Sequence, residues 1–358
     1  MYKKLMKKCI KLAQKATGKT SPNPLVGAVV VDDNNKILGC GYHKKAGEPH
    51  AEVNAIKNAE DNGYCVKGAT IVVNLEPCSH QGKTPPCADL IINKGIKRVI
   101  VGIKDPNPSV MGNGILKCQQ AGIEVVCGVL DEECLELNEI FIKNQTQKKP
   151  FIASKIATTI DGKIATKTKS SKWITGDKSR KYVQKIRMTY DAILTGIGTI
   201  IEDNPSMDCI YKPMTKIILD TNAKLPLDSK ILKNGEIIWA ICEKNTKKTP
   251  KNVKILLCPK KNGMVDIEFL LQELYKEGLC SILVEAGSAV NSSFLELGLL
   301  DKIYHFMAPK VLGDGSAVSC FSGFDIKKIS QCKEFSLKEV KKIDNDVLMI
   351  YKDNHCIY

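Results

Sequence analysis

Short apolar runs alternating with stretches of helical spacing constrain this chain more than any other feature. Ala69 to Leu75 reads ATIVVNL and Arg98 to Gly102 reads RVIVG, as strands buried in a sheet do. Leu25 to Val31 and Ile37 to Tyr42 flank the turn residues Asp32 to Asn35, which predicts a hairpin. Helical spacing covers His50 to Ala59, Ala88 to Lys94 and Ile115 to Ala121, a further strand follows at Ile123 to Cys127, and an opening helix aligns Leu5, Cys9, Leu12 and Ala16. Alternation of this kind implies α/β layers. The polar stretch Asn144 to Lys149, followed by Pro150, interrupts the pattern as a linker does.

The pattern then restarts without repeating the first half. Strands are predicted at Phe151 to Thr158, Asp191 to Thr195, Thr215 to Asp220, Glu236 to Ala240, Lys254 to Leu257 and Ser281 to Glu285. Helices are predicted at Lys178 to Met188, Ile267 to Lys276 and Val290 to Leu297. A length of 358 residues accommodates two domains, and the expected division is 1–146 and 150–358.

Composition narrows the function classes. Hydrophobic residues at 43% supply sizeable cores, which excludes disorder. No run of about 18 apolar residues occurs and the opening lysine-rich helix has no continuous apolar core, so no membrane span and a cytoplasmic location are expected. The net charge of +14 raises nucleic acid as a partner. Arginine, however, stands only at Arg98, Arg180 and Arg187, and the lysines are scattered. A solvated, Lys-biased surface and no nucleic-acid partner are therefore expected. Fifteen cysteines in a long chain read as mostly buried thiols rather than a disulfide framework.

Two of those cysteines have telling neighbours. His50-Ala51-Glu52 opens a helix, and Cys78 and Cys87 follow a strand in EPCSHQGKTPPCADL. Zinc favours His nitrogen and Cys sulfur, and three protein ligands leave the fourth tetrahedral position for a water whose pKa falls towards neutrality. His50, Cys78 and Cys87 supply that set, and Glu52 can move protons without being a ligand, as in zinc nucleobase deaminases. Each piece alone has a plainer reading as helix start or core thiol, and a closed structural site with His80 as fourth ligand is the alternative for the set.

The combination TSPNPLVG at Thr20 to Gly27, Gly41-Tyr42-His43, His50-Ala51-Glu52, Glu76 to Cys87 and Asp105-Pro106-Asn107-Pro108 resembles the deaminase half of the bifunctional riboflavin-biosynthesis deaminase/reductases. The resemblance extends over nearly the whole chain. It implies an N-terminal cytidine-deaminase-like three-layer α/β/α domain and a C-terminal dihydrofolate-reductase-like α/β domain. It also implies one Zn2+ per chain, NADPH, a phosphoribosyl pyrimidine substrate and a homo-oligomer. Carried over, Asn23, His43, His80 and Lys83 line the pyrimidine and phosphate side of the deaminase pocket. In the second half, Ala157, Trp173, Thr199, Asp203, Thr221 and the turn Gly287, Ser288, Ala289, Val290, Asn291, Ser292 and Ser293 contact the cofactor. Lys155, Ser171, Arg187, Met207 and Glu285 face the substrate.

Physically, Arg187 suits a phosphate because its planar fork binds two oxygens. The junction after Leu283-Val284-Glu285 offers free backbone N–H groups at a helix start, where phosphate is favoured. One departure stands out: the family pattern expects arginine where this chain has Ile210, and Lys212 is the nearby cation that could replace it. The function implied is hydrolytic deamination of a diaminopyrimidinone ribosylamine phosphate, then reduction of its sugar. Two other classes share some of these residues: a nucleic-acid or nucleoside zinc deaminase with a non-catalytic second domain, and a zinc-stabilised binding protein without turnover.

Overall fold

The computed structural model describes residues 1–80, 85–107, 110–243 and 248–354. They divide into two compact units, Met1–Lys148 and the chain from Lys149 onward.

The first unit has strands β1 (Gly27–Val31), β2 (Ile37–Tyr42), β3 (Thr70–Leu75), β4 (Arg98–Ile103) and β5 (Glu124–Val126). Its helices are α1 (Tyr2–Ala13), α2 (Ala51–Asp61), α3 (Cys87–Asn93), α4 (Asn113–Gln120), α5 (Asp131–Leu137) and α6 (Glu139–Gln147). The sheet order is β2-β1-β3-β4-β5, with the first two pairings antiparallel and the last two parallel. Every residue of β1 and β3 is buried, so both faces of the sheet are covered. Gly27 and Ala28, being successive, point to opposite faces. A Cβ on Gly27 would lie 2.1 Å from the Cys9 carbonyl of α1. Gly41, the register partner of Ala28, faces α2 instead, where a Cβ would lie 2.3 Å from the Ala55 nitrogen. The result is three layers, helix, sheet and helix. α1 docks through Leu5, Met6, Cys9 and Ala13, a stripe one turn apart. The expected linker differs in part: Asn144 to Gln147 form the last turn of α6, which stops at Lys148 with φ +54°.

The second unit is built on strands β6 (Phe151–Thr158), β7 (Lys163–Ala165), β8 (Ala192–Gly196), β9 (Thr215–Leu219), β10 (Ile237–Ile241), β11 (Val253–Leu257), β12 (Lys260–Lys261), β13 (Met264–Val265), β14 (Ser281–Val284), β15 (Lys302–Met307), β16 (Val318–Ser319), β17 (Phe335–Ile343) and β18 (Asp346–Asp353). Its helices are α7 (Asp177–Thr189), α8 (Ile197–Asp203), α9 (Ile267–Lys276) and α10 (Ser288–Glu296). The main sheet runs β11-β10-β9-β8-β14-β6-β15-β18-β17. Pairings from β11 to β15 are parallel, and β18 and β17 add an antiparallel edge. β7 with β16, and β12 with β13, form short antiparallel ribbons. Because β6, β8, β9 and β14 are parallel neighbours, their carboxyl ends open along one edge, where open α/β sheets bind ligands.

Candidate metal centre and ligand cleft

His50 is the N-cap of α2, and Cys87 is the first residue of α3. Cys78 lies in the turn that leaves β3. The nitrogen Nδ1 of His50 lies 3.5 Å from Cys78 Sγ and 3.3 Å from Cys87 Sγ, and all three donor atoms fall within 4.8 Å of one another. Zinc with ordinary Zn–N and Zn–S bonds at a tetrahedral angle requires N···S edges of ~3.5 Å. The donor chemistry and the spacing both fit that ion. Among the described residues His80 does not join the cluster and is exposed, so the closed four-ligand alternative has no fourth ligand there. The Cys87 N–H donates to Cys78 Sγ at 3.3 Å. The Cys78 thiol is drawn down to about 4, chiefly by the Cys87 thiol donating to it, and the Cys87 thiol is pushed up in consequence. Glu52, in the first turn of α2, is 3% exposed. Burial, then the neighbouring Cys78, pushes its carboxyl up to about 7, the range suited to proton transfer near neutral pH.

Asn23 and His43 meet beside this cluster. Asn23 Nδ2 donates to His43 Nε2 at 3.2 Å, which leaves Nδ1–H to donate to the Pro49 carbonyl at 3.2 Å. The His43 ring stands edge-on to His50 with centroids 5.6 Å apart, and burial lowers its pKa. Lys83 lies outside the described residues. Sequence reasoning missed Glu76, whose carboxylate is buried and accepts four backbone N–H groups: Asp105 at 3.0 Å, Gly112 at 2.9 Å, Gly114 at 2.9 Å and Ile115 at 3.3 Å. It thereby ties the Asp105 loop and the start of α4 to the strand that leads to Cys78. The position after a strand is the same signal that marked Cys78, but nothing in the sequence shows which amides arrive.

In the second unit the carboxyl ends of β6, β8, β9 and β14 border a cleft of about 1400 Å³. Lys155, Ala157, Ser171, Trp173, Arg187, Thr199, Asp203, Met207, Thr221, Glu285, Gly287, Ser288, Ala289, Val290, Asn291 and Ser293 all line it. Ser292 is a correction: it is not among the lining residues, and its buried hydroxyl accepts the Ser322 N–H at 2.9 Å. Glu285 is the hub of the cleft. Arg187 grips it with two bonds, Nε to Oε1 at 2.7 Å and Nη2 to Oε2 at 3.1 Å, and Lys155 Nζ lies 3.2 Å from Oε2. Burial alone would raise the Glu285 carboxyl, but the two cations outweigh it and hold the group down at about 2. Ser171 Oγ donates to Asp203 Oδ1 at 2.9 Å. Trp173 is 62% exposed, with the Arg180 guanidinium 4.4 Å above its ring. Asn291 is held between Ser154 and the Ala286 carbonyl, each at 3.0 Å.

The expected replacement at Ile210 fails. Ile210 is 72% exposed, and neither it nor Lys212 is among the residues that line the cleft. Lys212, its pKa lowered by burial, has Asp191 as charged neighbour. Asp191 precedes β8, at the opposite end of that strand from the cleft-lining Gly196.

These two units define an enzyme with two active sites, a metal-type deaminase followed by a nucleotide-cofactor reductase. The family model for the cytidine and deoxycytidylate deaminase zinc-binding region matches residues 1–103, and that for the RibD C-terminal domain matches residues 150–349. The chain is 42% identical over 359 residues to the riboflavin biosynthesis protein RibD of Aquifex aeolicus, covering 98% of each. It is 40% identical over 356 residues to that of Actinobacillus pleuropneumoniae, covering 97% of this chain and 94% of the relative. A diaminohydroxyphosphoribosylaminopyrimidine deaminase/5-amino-6-(5-phosphoribosylamino)uracil reductase from Thermotoga maritima superposes with a TM-score of 0.89 at 41% identity, over 98% of both chains. The chain belongs to the RibD family of bifunctional riboflavin-biosynthesis enzymes. Its halves are a zinc-binding deaminase domain and an NADPH-dependent reductase domain. No helix among the described residues is long and apolar enough to cross a membrane.

Proposed function

We propose that residues 1–146 deaminate 2,5-diamino-6-ribosylamino-4(3H)-pyrimidinone 5′-phosphate and that residues 150–358 then reduce its ribosyl group to ribityl. The observation that carries the first step is the triangle of His50, Cys78 and Cys87 with the buried carboxyl of Glu52 beside it. When bound there, zinc supplies a water of lowered pKa. Glu52 takes up and delivers the proton that the departing amine needs. Asn23 and His43 orient the pyrimidine, and His80 and Lys83 reach its phosphate side.

In the second step NADPH, when bound, supplies the hydride. Ala157, Trp173, Thr199, Asp203, Thr221 and the Gly287 to Asn291 turn with Ser293 hold that cofactor. Lys155, Ser171, Arg187, Met207 and Glu285 hold the sugar phosphate, and the net positive charge of one carboxylate between two cations favours it. The fourteen described cysteines are all free thiols, which supports a reducing, cytoplasmic setting. Self-association is supported by β17, a nine-residue strand at the sheet edge with exposed Leu337 and Val340. Sedimentation velocity measures it.

The direct test is metal content beside ammonia release. The wild-type chain is expected to hold one zinc per chain. Cys87→Ser is expected to lose both zinc and deamination while NADPH oxidation persists. Full zinc and full deamination in that variant would exclude Cys87 as a ligand.

A further inference from the structure

Lys216, on β9, has a side chain only 2% exposed. A buried ammonium requires partners, and this one has two: Asp208 Oδ1 at 2.7 Å and the Ile231 carbonyl at 3.2 Å. Asp208 stands next to the cleft-lining Met207, and its other oxygen accepts from Asn234 Nδ2 at 3.4 Å. Its main-chain carbonyl accepts a hydrogen bond from Arg187 Nη1. Arg187 in turn grips Glu285, which reaches Lys155. One continuous line of polar contacts therefore runs from the core of the sheet to the wall of the cleft. Met207, within that line, is held at φ +53° with its sulfur 3.9 Å from Arg187 Nη2. A methionine keeps a left-handed backbone only where its surroundings enforce it.

We propose that Lys216 is a positioning residue for the reductase substrate, anchoring Asp208 so that Met207 and the Asp208 carbonyl fix the Arg187 fork against the sugar phosphate. The proposal rests on the reading that Arg187 and Met207 face that substrate. Neither Lys216 nor Asp208 is among the cleft-lining residues, so both act through Arg187. Asp208 is 36% exposed, and without the ammonium its carboxylate keeps only the neutral donors Asn234 and Ser206 against the pull of solvent.

The test uses the full-length, zinc-loaded enzyme and measures reductase KM and kcat for the pyrimidine substrate. The NADPH dissociation constant is read by titration, and deaminase turnover serves as internal control. Lys216→Met is expected to raise KM roughly tenfold, about the worth of one charge-assisted hydrogen bond. The kcat, NADPH affinity and deamination stay near native values, because a contact remote from the reacting carbon acts alike in ground and transition states. Lys216→Arg should keep the native KM. Asp208→Asn should raise KM in the same direction, and the double variant Lys216→Met/Asp208→Asn should be no worse than Lys216→Met, since both cut one link.

A folded Lys216→Met protein with native KM overturns the proposal, as does a rise in KM matched by loss of NADPH affinity. If Lys216→Met does not fold, Asp208→Asn decides, and a native KM there overturns it. Arg187→Ala separates the layers of the inference. A native KM in Arg187→Ala removes the reading beneath the proposal, whereas a raised KM there with a native KM in Asp208→Asn removes the anchor alone.

Discussion

Glu52 and Glu285 are both buried carboxyls, and burial wins at the first while neighbouring cations win at the second. Glu52 is pushed up to about 7 chiefly by burial, so it can carry a proton near neutrality. Glu52→Gln is expected to lower deamination about a hundredfold or more, with zinc content and NADPH oxidation unchanged. Loss of zinc in that variant would make Glu52 structural. Glu285 is held down at about 2 by Arg187 and Lys155. A carboxyl with a folded value below its unfolded one stabilises the fold above the unfolded value and ceases to as pH falls through the folded one. From an ordinary value of 4.5, the contribution is about 3 kcal/mol. It is complete above about pH 5 and absent near pH 2. Thermal midpoints measured from pH 6 downward should drop over that window, and Glu285→Gln should flatten that part of the profile. His50, Cys78 and Cys87 were legible in the sequence because ligand type and spacing carry the chemistry. Glu76, Lys216 and Asp208 were not. A charged residue beside a strand looks the same whether it is solvated or gathers four amides, and distant segments decide which.

Helix α2 owes its place to its neighbour strand. Gly39 and Gly41 of β2 lie against its backbone, with hypothetical Cβ atoms 2.4 Å from the Ala55 oxygen and 2.3 Å from the Ala55 nitrogen. Since His50 and Glu52 ride on its first turn, a side chain at Gly41 moves ligand and proton carrier together. Gly41→Val is expected to lose zinc and deamination together while NADPH oxidation persists, measurable by metal analysis and two parallel assays. Native zinc content in that variant would show that the helix tolerates the shift. At this scale the sequence was readable in the apolar strands β3 and β4, whereas β15, which lies inside its sheet but reads KIYHFM, escaped. β17 escaped because it lies at the sheet edge with Leu337 and Val340 in solvent. α6 escaped because Lys143 and Asn144 are buried despite their polarity. Tertiary packing, not periodicity, settles such elements.

The hydrophobic clusters of the molecule respect the division at Lys148: one draws only on residues up to Ile142, and the other two only on residues from Ile152 onward. Fragments 1–147 and 149–358 are therefore expected to fold separately, the first deaminating and the second oxidising NADPH in the presence of substrate. A folded second fragment that never binds NADPH would remove the reductase assignment. The stretch before Pro150, expected as a linker, is in part the last turn of α6. Separate cores have a genetic corollary. A lesion that melts one unit should leave the other at work, so two defective alleles, one broken at Glu52 and one at Glu285, should complement each other when expressed together. A cell carrying both would grow without added riboflavin, although neither copy of the chain could complete the two steps alone.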